Sequence, residues 1–259
     1  MKNAKLFFLS LFFLASTAHA FSFGVDPSHL NFKTKPGETS IQQLTLVNYG
    51  KEPMQLSLSI EEWKLLPDGA KEFGRPGLSV FGCGAWIKVE PQTITLPAQG
   101  KTQVTVLMLT PTDSVGGHQA VVFAQNIPSL KDDKPGRVPL VGKVGTLIFQ
   151  DTDGATDAKF SVKQAGLDMD TRSQTLHLTV KNEGNTYVAC SGYAMILREE
   201  SGAVIDRQTL PKWPLLPGDS NKADVVFNKQ PLPAGKYLFL VTVESEGLDP
   251  VVVEEAFTL

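Results

Sequence analysis

The chain has 259 residues and a formal net charge of −3, from 24 basic and 27 acidic side chains. Proteins that bind nucleic acid normally carry a basic excess, so this charge balance argues against a nucleic-acid partner. The length suits two domains of ordinary size, each large enough to bury its own core.

The first 20 residues predict a secretory signal that is cleaved. Two lysines precede an apolar run at 6–15, and the sequence AHA at 18–20 follows it as a small-residue exit. The run is too short to span a bilayer, and no later stretch is apolar enough to be a membrane helix. We therefore expect an exported chain without a membrane span, beginning near Phe21. The periplasm is the expected location, with secretion or the cell surface as the alternative.

Short alternating segments fill the rest of the chain, among them SIQQLTLVN, TQVTVLML, QTLHLTVKN and KYLFLVTVES. Valine, isoleucine, threonine and aromatic residues dominate them, and glycine, proline, asparagine or aspartate interrupts them about every ten residues. Helical periodicity is nearly absent. This pattern predicts an all-β chain built from sandwiches.

Three landmarks recur in the same order in both halves. Asn48-Tyr49-Gly50 matches Asn182-Glu183-Gly184, the segment 96–100 (LPAQG) matches 216–220 (LPGDS), and the turn at 116–118 matches the turn at 234–236. We expect the glycine of each Asn-x-Gly turn to adopt a left-handed backbone. The repeat predicts two tandem immunoglobulin-like β-sandwich domains at 21–150 and 158–259. The acidic segment 151–157 is the predicted linker.

No arrangement of residues in the sequence predicts catalysis. His29, His118 and His177 lie in separate segments without the spacing of a metal site. His118 is expected at the surface or rim, and His177 is expected to point outward from a strand. The chain has no CxxC, no GxSxG and no glycine-rich phosphate loop. The aspartates of 151–157 lack the distal glutamate of a calcium loop and are typical of a solvated turn. We therefore predict that the chain is not an enzyme and holds no metal or cofactor.

The two cysteines, Cys83 and Cys190, lie in different halves of the chain. An exported protein meets an oxidising compartment, which permits a disulfide. Both cysteines are expected near the junction of the two domains, so an interdomain disulfide is one hypothesis. Two free or buried thiols are the other.

The first domain resembles the periplasmic chaperones of the chaperone–usher pilus pathway. The resemblance rests on VDPSHLNF near the mature start, the turn NYGKEP, the long segment AWIKVEPQTITLPAQGKTQVTVLM, then QNIP, and the last strand VGKVGTLIFQD. It covers most of the first domain. The second domain is similar only in its general sandwich character.

This resemblance implies a partner and a set of binding residues. In that family the chaperone lends an edge strand to an incomplete pilus subunit, and two basic residues in the cleft anchor the subunit's C-terminal carboxylate. By position, Lys143 matches the anchoring lysine and His29 stands where the family has arginine. Val138 and Leu140 fall on the edge strand that is donated.

The same stretch also permits a second interpretation. The segment SLKDDKPGRVPL carries charges and two prolines, which are typical of an edge protected from pairing. The sequence therefore leaves two hypotheses. One is an exported chaperone-like protein that binds a subunit of a pilus or surface fibre, and the other is a structural or adhesive module of a surface assembly.

Overall fold

The computed structural model of the chain describes residues 23–66, 70–128, 140–169, 174–227 and 232–259. Within them the chain forms seventeen strands and one short 3-10 turn, Gly84–Trp86. No helix in this described part has the length and apolar character needed to cross a membrane. The all-β class predicted from the alternating segments is confirmed.

The first half forms two sheets that face each other. Their strand orders are β1-β3-β8-β6 and β2-β10-β9-β4-β5, with β7 beside β4, and the only parallel strand pair among the described residues is β2 with β10. The strands are β1 (Phe23–Asp26), β2 (His29–Thr34), β3 (Thr39–Asn48), β4 (Met54–Leu65), β5 (Lys71–Gly74), β6 (Ile87–Glu90), β7 (Thr93–Leu96), β8 (Lys101–Leu109), β9 (Gly117–Ile127) and β10 (Lys143–Thr152).

The second half forms another pair of sheets, ordered β11-β12-β15 and β14-β13-β16-β17. Pro211 and Pro214 lie on β14, which is an edge strand, where a missing N–H disturbs no central ladder. The strands are β11 (Phe160–Met169), β12 (Gln174–Asn182), β13 (Val188–Arg198), β14 (Val204–Leu215), β15 (Ser220–Val226), β16 (Lys236–Ser245) and β17 (Val251–Thr258).

Each half encloses its own hydrophobic core. Alternate residues of every central strand point inward, because successive side chains of a strand face opposite sides of the sheet. Leu46 and Val106 lie in the first core, and Leu178 and Phe239 lie in the second. The predicted pair of sandwiches is confirmed.

The repeated Asn-x-Gly turn has the same physical basis in both halves. Asn48 and Asn182 are buried, and their amide oxygens accept a hydrogen bond from the N–H of Gly50 at 2.8 Å and of Gly184 at 2.9 Å. Neither glycine has a positive φ, so the expected left-handed backbone is wrong. The buried asparagine side chain holds the turn instead. Each amide nitrogen donates to two carbonyls at 2.8–3.0 Å: those of Glu52 and Pro97 for Asn48, and those of Thr186 and Leu215 for Asn182.

Candidate partner-binding cleft between the two sandwiches

A backbone hydrogen bond and a side-chain hydrogen bond join the two sandwiches directly. The N–H of Gly117 on β9 donates to the carbonyl of Asn185 at 2.8 Å, and the hydroxyl of Thr186 donates to the carboxylate of Asp151. A Cβ at Gly117 would lie 2.3 Å from the Thr186 hydroxyl oxygen. Only a glycine permits this close approach of the two units.

An apolar cluster lies between the sandwiches beside these hydrogen bonds, and we call it the junction cluster. The ring centroids of Phe149 and Tyr187, one from each sandwich, are 4.5 Å apart. Together with the polar contacts, this packing fixes how the cleft-facing sheet of the first sandwich meets the second. The junction cluster contains the buried Trp63, Val121, Phe123 and Leu216 and the half-buried Leu65, Leu147, Phe149 and Tyr187.

Lys143 opens β10 on the cleft-facing side of the sheet. Its Nζ lies 2.5 Å from Oε1 of Glu61 on β4 and 4.0 Å from the ring centroid of Phe123 on β9. The Phe123 ring lies over Gly145, where a Cβ would come within 2.7 Å of it. Lys143 is therefore already paired with a carboxylate, and the sequence analysis did not foresee this partner.

His29 begins β2 and is exposed, with Nδ1 3.3 Å from the Ser28 hydroxyl oxygen. In the parallel ladder it stands opposite Leu147, four positions beyond Lys143 on β10. At 3.3 Å per residue, four positions are about 13 Å along the strand. The structure places both residues on one sheet face but does not bring them together.

The segment predicted from the sequence as the donated edge strand is described only in part. Val138 lies outside the described residues, and Leu140 is 64% exposed. Asn126 on β9 holds the chain after Leu140, because its amide nitrogen donates to the Leu140 carbonyl at 3.0 Å and its amide oxygen accepts from the N–H of Gly142 at 2.7 Å. An exposed apolar side chain thus precedes β10 at a fixed position.

The first part of β10 has an open edge within the described residues. β2 pairs with β10 only from Leu147 to Thr152, and the N–H of Leu147 donates to the Ser28 carbonyl at 3.0 Å. Because N–H groups alternate in direction along a strand, those of Lys143 and Gly145 point to the same side as that of Leu147. Unpaired backbone groups on one side of a strand are a template for another strand.

The two cysteines are free thiols buried in separate cores, Cys83 in the first and Cys190 in the second. The interdomain disulfide considered from the sequence is therefore not formed, and the alternative of two buried thiols describes the structure. Each thiol completes the core of its own sandwich, so the two do not meet at the junction. Burial raises the pKa of both thiols, that of Cys190 to about 11. Neither thiol is suited to act as a nucleophile, since the thiolate is the reactive form.

Glu62 is a buried carboxylate that the sequence analysis missed. It is 3% exposed and accepts hydrogen bonds from the backbone N–H groups of Gly77 at 2.9 Å, Ser79 at 3.2 Å and Gly84 at 3.2 Å. The sequence did contain a signal for this position. Along β4, Glu62 continues the alternation of Leu56, Leu58 and Ile60, whose side chains face the core, so its own side chain also points inward. A charge at such a position needs partners to offset its desolvation.

His118 is half-buried near the start of β9. Its Nδ1 lies 3.0 Å from Oε1 of Gln150, and its ring centroid lies 4.3 Å from that of Trp86. The Gln150 amide nitrogen donates to the Thr34 hydroxyl, so its oxygen is left to accept. We therefore assign a proton to Nδ1. Burial lowers the pKa of His118, and the Gln150 hydrogen bond and the nearby Asp151 charge oppose that effect.

Comparison with known proteins agrees with the fold. No protein-family model matches the sequence, and no curated protein matches it. Among solved structures, the class 5 fimbriae chaperone CfaA is similar with a TM-score of 0.52 and 11% identity, over 90% of this chain and 99% of that one. A chain from the chaperone–tip adhesin complex of CFA/I fimbriae biogenesis gives a TM-score of 0.52 and 10% identity, over 91% and 99%. The chain has the two-domain fold of these fimbrial chaperones.

Proposed function

We propose that this chain is an exported chaperone that holds a β-rich subunit of a pilus or surface fibre. The observation that carries the proposal is the open edge of β10, which stands on the cleft-facing sheet of a fold similar to that of a fimbriae chaperone. A partner strand that pairs with this edge gains backbone hydrogen bonds, and side-chain pockets then supply specificity. We propose domain boundaries at 21–150 and 158–259, after a signal at 1–20.

The side chains beside the open edge have the chemistry that this role requires. Leu140 and Val141 are 64% and 50% exposed just before β10 and offer apolar surface to a partner. Lys143 supplies a positive charge for a partner carboxylate, as the resemblance implies. His29 lies on the same face at the neighbouring end of β2 and provides a second polar contact for a partner that lies along the edge.

The experiment is purification of the tagged full chain from its source organism after mild crosslinking, with partners identified by mass. We expect a stoichiometric small β-rich subunit. Lys143→Ala removes a hydrogen bond to a charged group, worth about 1.5–3 kcal/mol, and should weaken capture about tenfold or more. Lys101→Ala, an exposed lysine on the opposite sheet, is the matched control and should leave capture unchanged.

A second pair of variants tests the edge itself. Leu140→Asp places a charge where the partner strand should lie and should reduce capture, whereas Ile41→Asp changes an equally exposed apolar residue on β3 and should not. Recovery of a clean monomer, or of copies of this chain alone, would refute the chaperone role. That result would favour the structural or adhesive module instead.

A further inference from the structure

We propose that Glu61 is an internal competitor, which occupies Lys143 until the carboxylate of a partner displaces it. This inference rests on the proposed function, because it concerns the same cleft. Its basis is the 2.5 Å contact between Lys143 Nζ and Glu61 Oε1. An ammonium that already binds one carboxylate has the chemistry to bind another in its place.

The placement of the two residues shows that the contact is not a local pairing. In the sheet order β2-β10-β9-β4, Glu61 stands opposite Val121 and Lys143 stands opposite Gln125. One strand, β9, lies between them, so the pair is separated by two strand spacings and by four positions along the strands. The lysine side chain must extend diagonally across the Phe123 ring to reach the carboxylate.

This direction takes the ammonium away from the open edge of β10. His29 lies on β2, on the opposite side of β10 from Glu61. The ammonium lies over the Phe123 ring and is therefore directed toward β9 and β4, not toward the strand that carries His29. Released from Glu61, the flexible four-carbon stem of Lys143 can turn toward the edge where a partner strand would lie.

The contact is weak enough to be exchanged. The Lys143 side chain is 35% exposed and that of Glu61 is 22% exposed, so solvent screens the pair. Ion pairs of this kind reduce the affinity of a competing ligand by a factor of about two to five. An entering carboxylate offers the ammonium the same charge and the same acceptor oxygens as Glu61 does. A neutral amide offers no such exchange, so the pair should discriminate between the two.

The test uses N-acetyl-alanine as a carboxylate probe and N-acetyl-alaninamide as its neutral match, each titrated into the full mature chain and followed by NMR. We expect the Glu61→Gln variant to bind N-acetyl-alanine about two- to fivefold more tightly than wild type. Lys143→Ala should lose that binding, and the amide probe should bind none of the proteins. Glu72→Gln is the matched control, because Glu72 forms an exposed pair with Lys64 at 3.2 Å on neighbouring strands.

Equal affinity of wild type and Glu61→Gln for N-acetyl-alanine would overturn the inference. Equal binding of the amide probe would overturn it as well, since exchange at Lys143 requires a charge. The two proposals fail separately. If the titration behaves as expected and no subunit is captured, the chaperone role fails and the exchange stands. If a subunit is captured and Glu61→Gln changes neither measurement, the exchange alone is wrong.

Discussion

Removing the Glu62 carboxylate should destabilise the first sandwich severely. The loop between β5 and β6 folds over this side chain, and three of its backbone N–H groups, those of Gly77, Ser79 and Gly84, donate to the two carboxylate oxygens. A Cβ at Gly82 would lie 2.1 Å from the Glu62 carboxyl carbon, so the loop backbone lies directly against the charge. Glu62→Ala leaves these donors without their acceptor.

The magnitude follows from the number of donors. Each hydrogen bond to a charged group contributes about 1.5–3 kcal/mol, and part of the loss is recovered because the carboxylate no longer has to be desolvated. We expect the free energy of unfolding to fall by about 3–5 kcal/mol, which is at the upper end for a single substitution. With a urea m-value of about 2 kcal/mol/M, the midpoint should fall by about 2 M. Glu62→Gln keeps one acceptor oxygen and should lose roughly half as much.

Urea unfolding followed by tryptophan fluorescence measures the loss of stability of the first sandwich. Trp63 and Trp86 report on the first half, and a Trp213→Phe background removes the signal of the second. The indole nitrogen of Trp213 is buried without a hydrogen-bond partner in the described part of the chain, so its removal leaves no broken bond. Glu72→Ala, in an exposed ion pair, is the control and should shift the midpoint little. A loss below about 1 kcal/mol for Glu62→Ala would refute the role assigned to the carboxylate.

Two further predictions concern Gly117 and His118, the first two residues of β9. Since burial lowers the pKa of His118, the unfolded chain binds the proton more readily than the folded chain. The contribution of neutral His118 to the free energy of unfolding is therefore intact above the ordinary pKa of about 6.5. It is lost as the pH falls through that value toward the lower pKa of the folded state. The melting temperature of wild type should drop more between about pH 7.5 and pH 5.5 than that of His118→Asn, and equal drops would contradict the assignment. Gly117→Ala places a methyl group 2.3 Å from the Thr186 hydroxyl oxygen and should change the relative orientation of the sandwiches, measured by small-angle X-ray scattering. Gly166→Ala, where a Cβ meets nothing within 4 Å, is the control, and an unchanged scattering curve for both variants would exclude this contact as a determinant of orientation.

The all-β class and the repeated architecture could be read from the sequence because they depend on local periodicity. Alternation assigns side chains to two faces, and a strand with one apolar face must bury it. The repeated asparagine was also visible, and Asn48 and Asn182 do hold equivalent turns. The hydrogen bonds that stabilise these turns could not be predicted, because their acceptors include distant carbonyls such as that of Pro97, 49 residues away from Asn48.

The contacts of the cleft depend on tertiary structure. The family resemblance in the sequence suggested Lys143 as an anchor, but its Glu61 partner is 82 residues away and two strand spacings across the sheet. The cysteines also depend on tertiary structure. The sequence was compatible with a disulfide between Cys83 and Cys190, but packing places the two thiols in separate cores. Periodicity in the sequence determined which residues point inward on each strand. Strand order and register, which the whole sheet sets together, decided which charges meet on its surface.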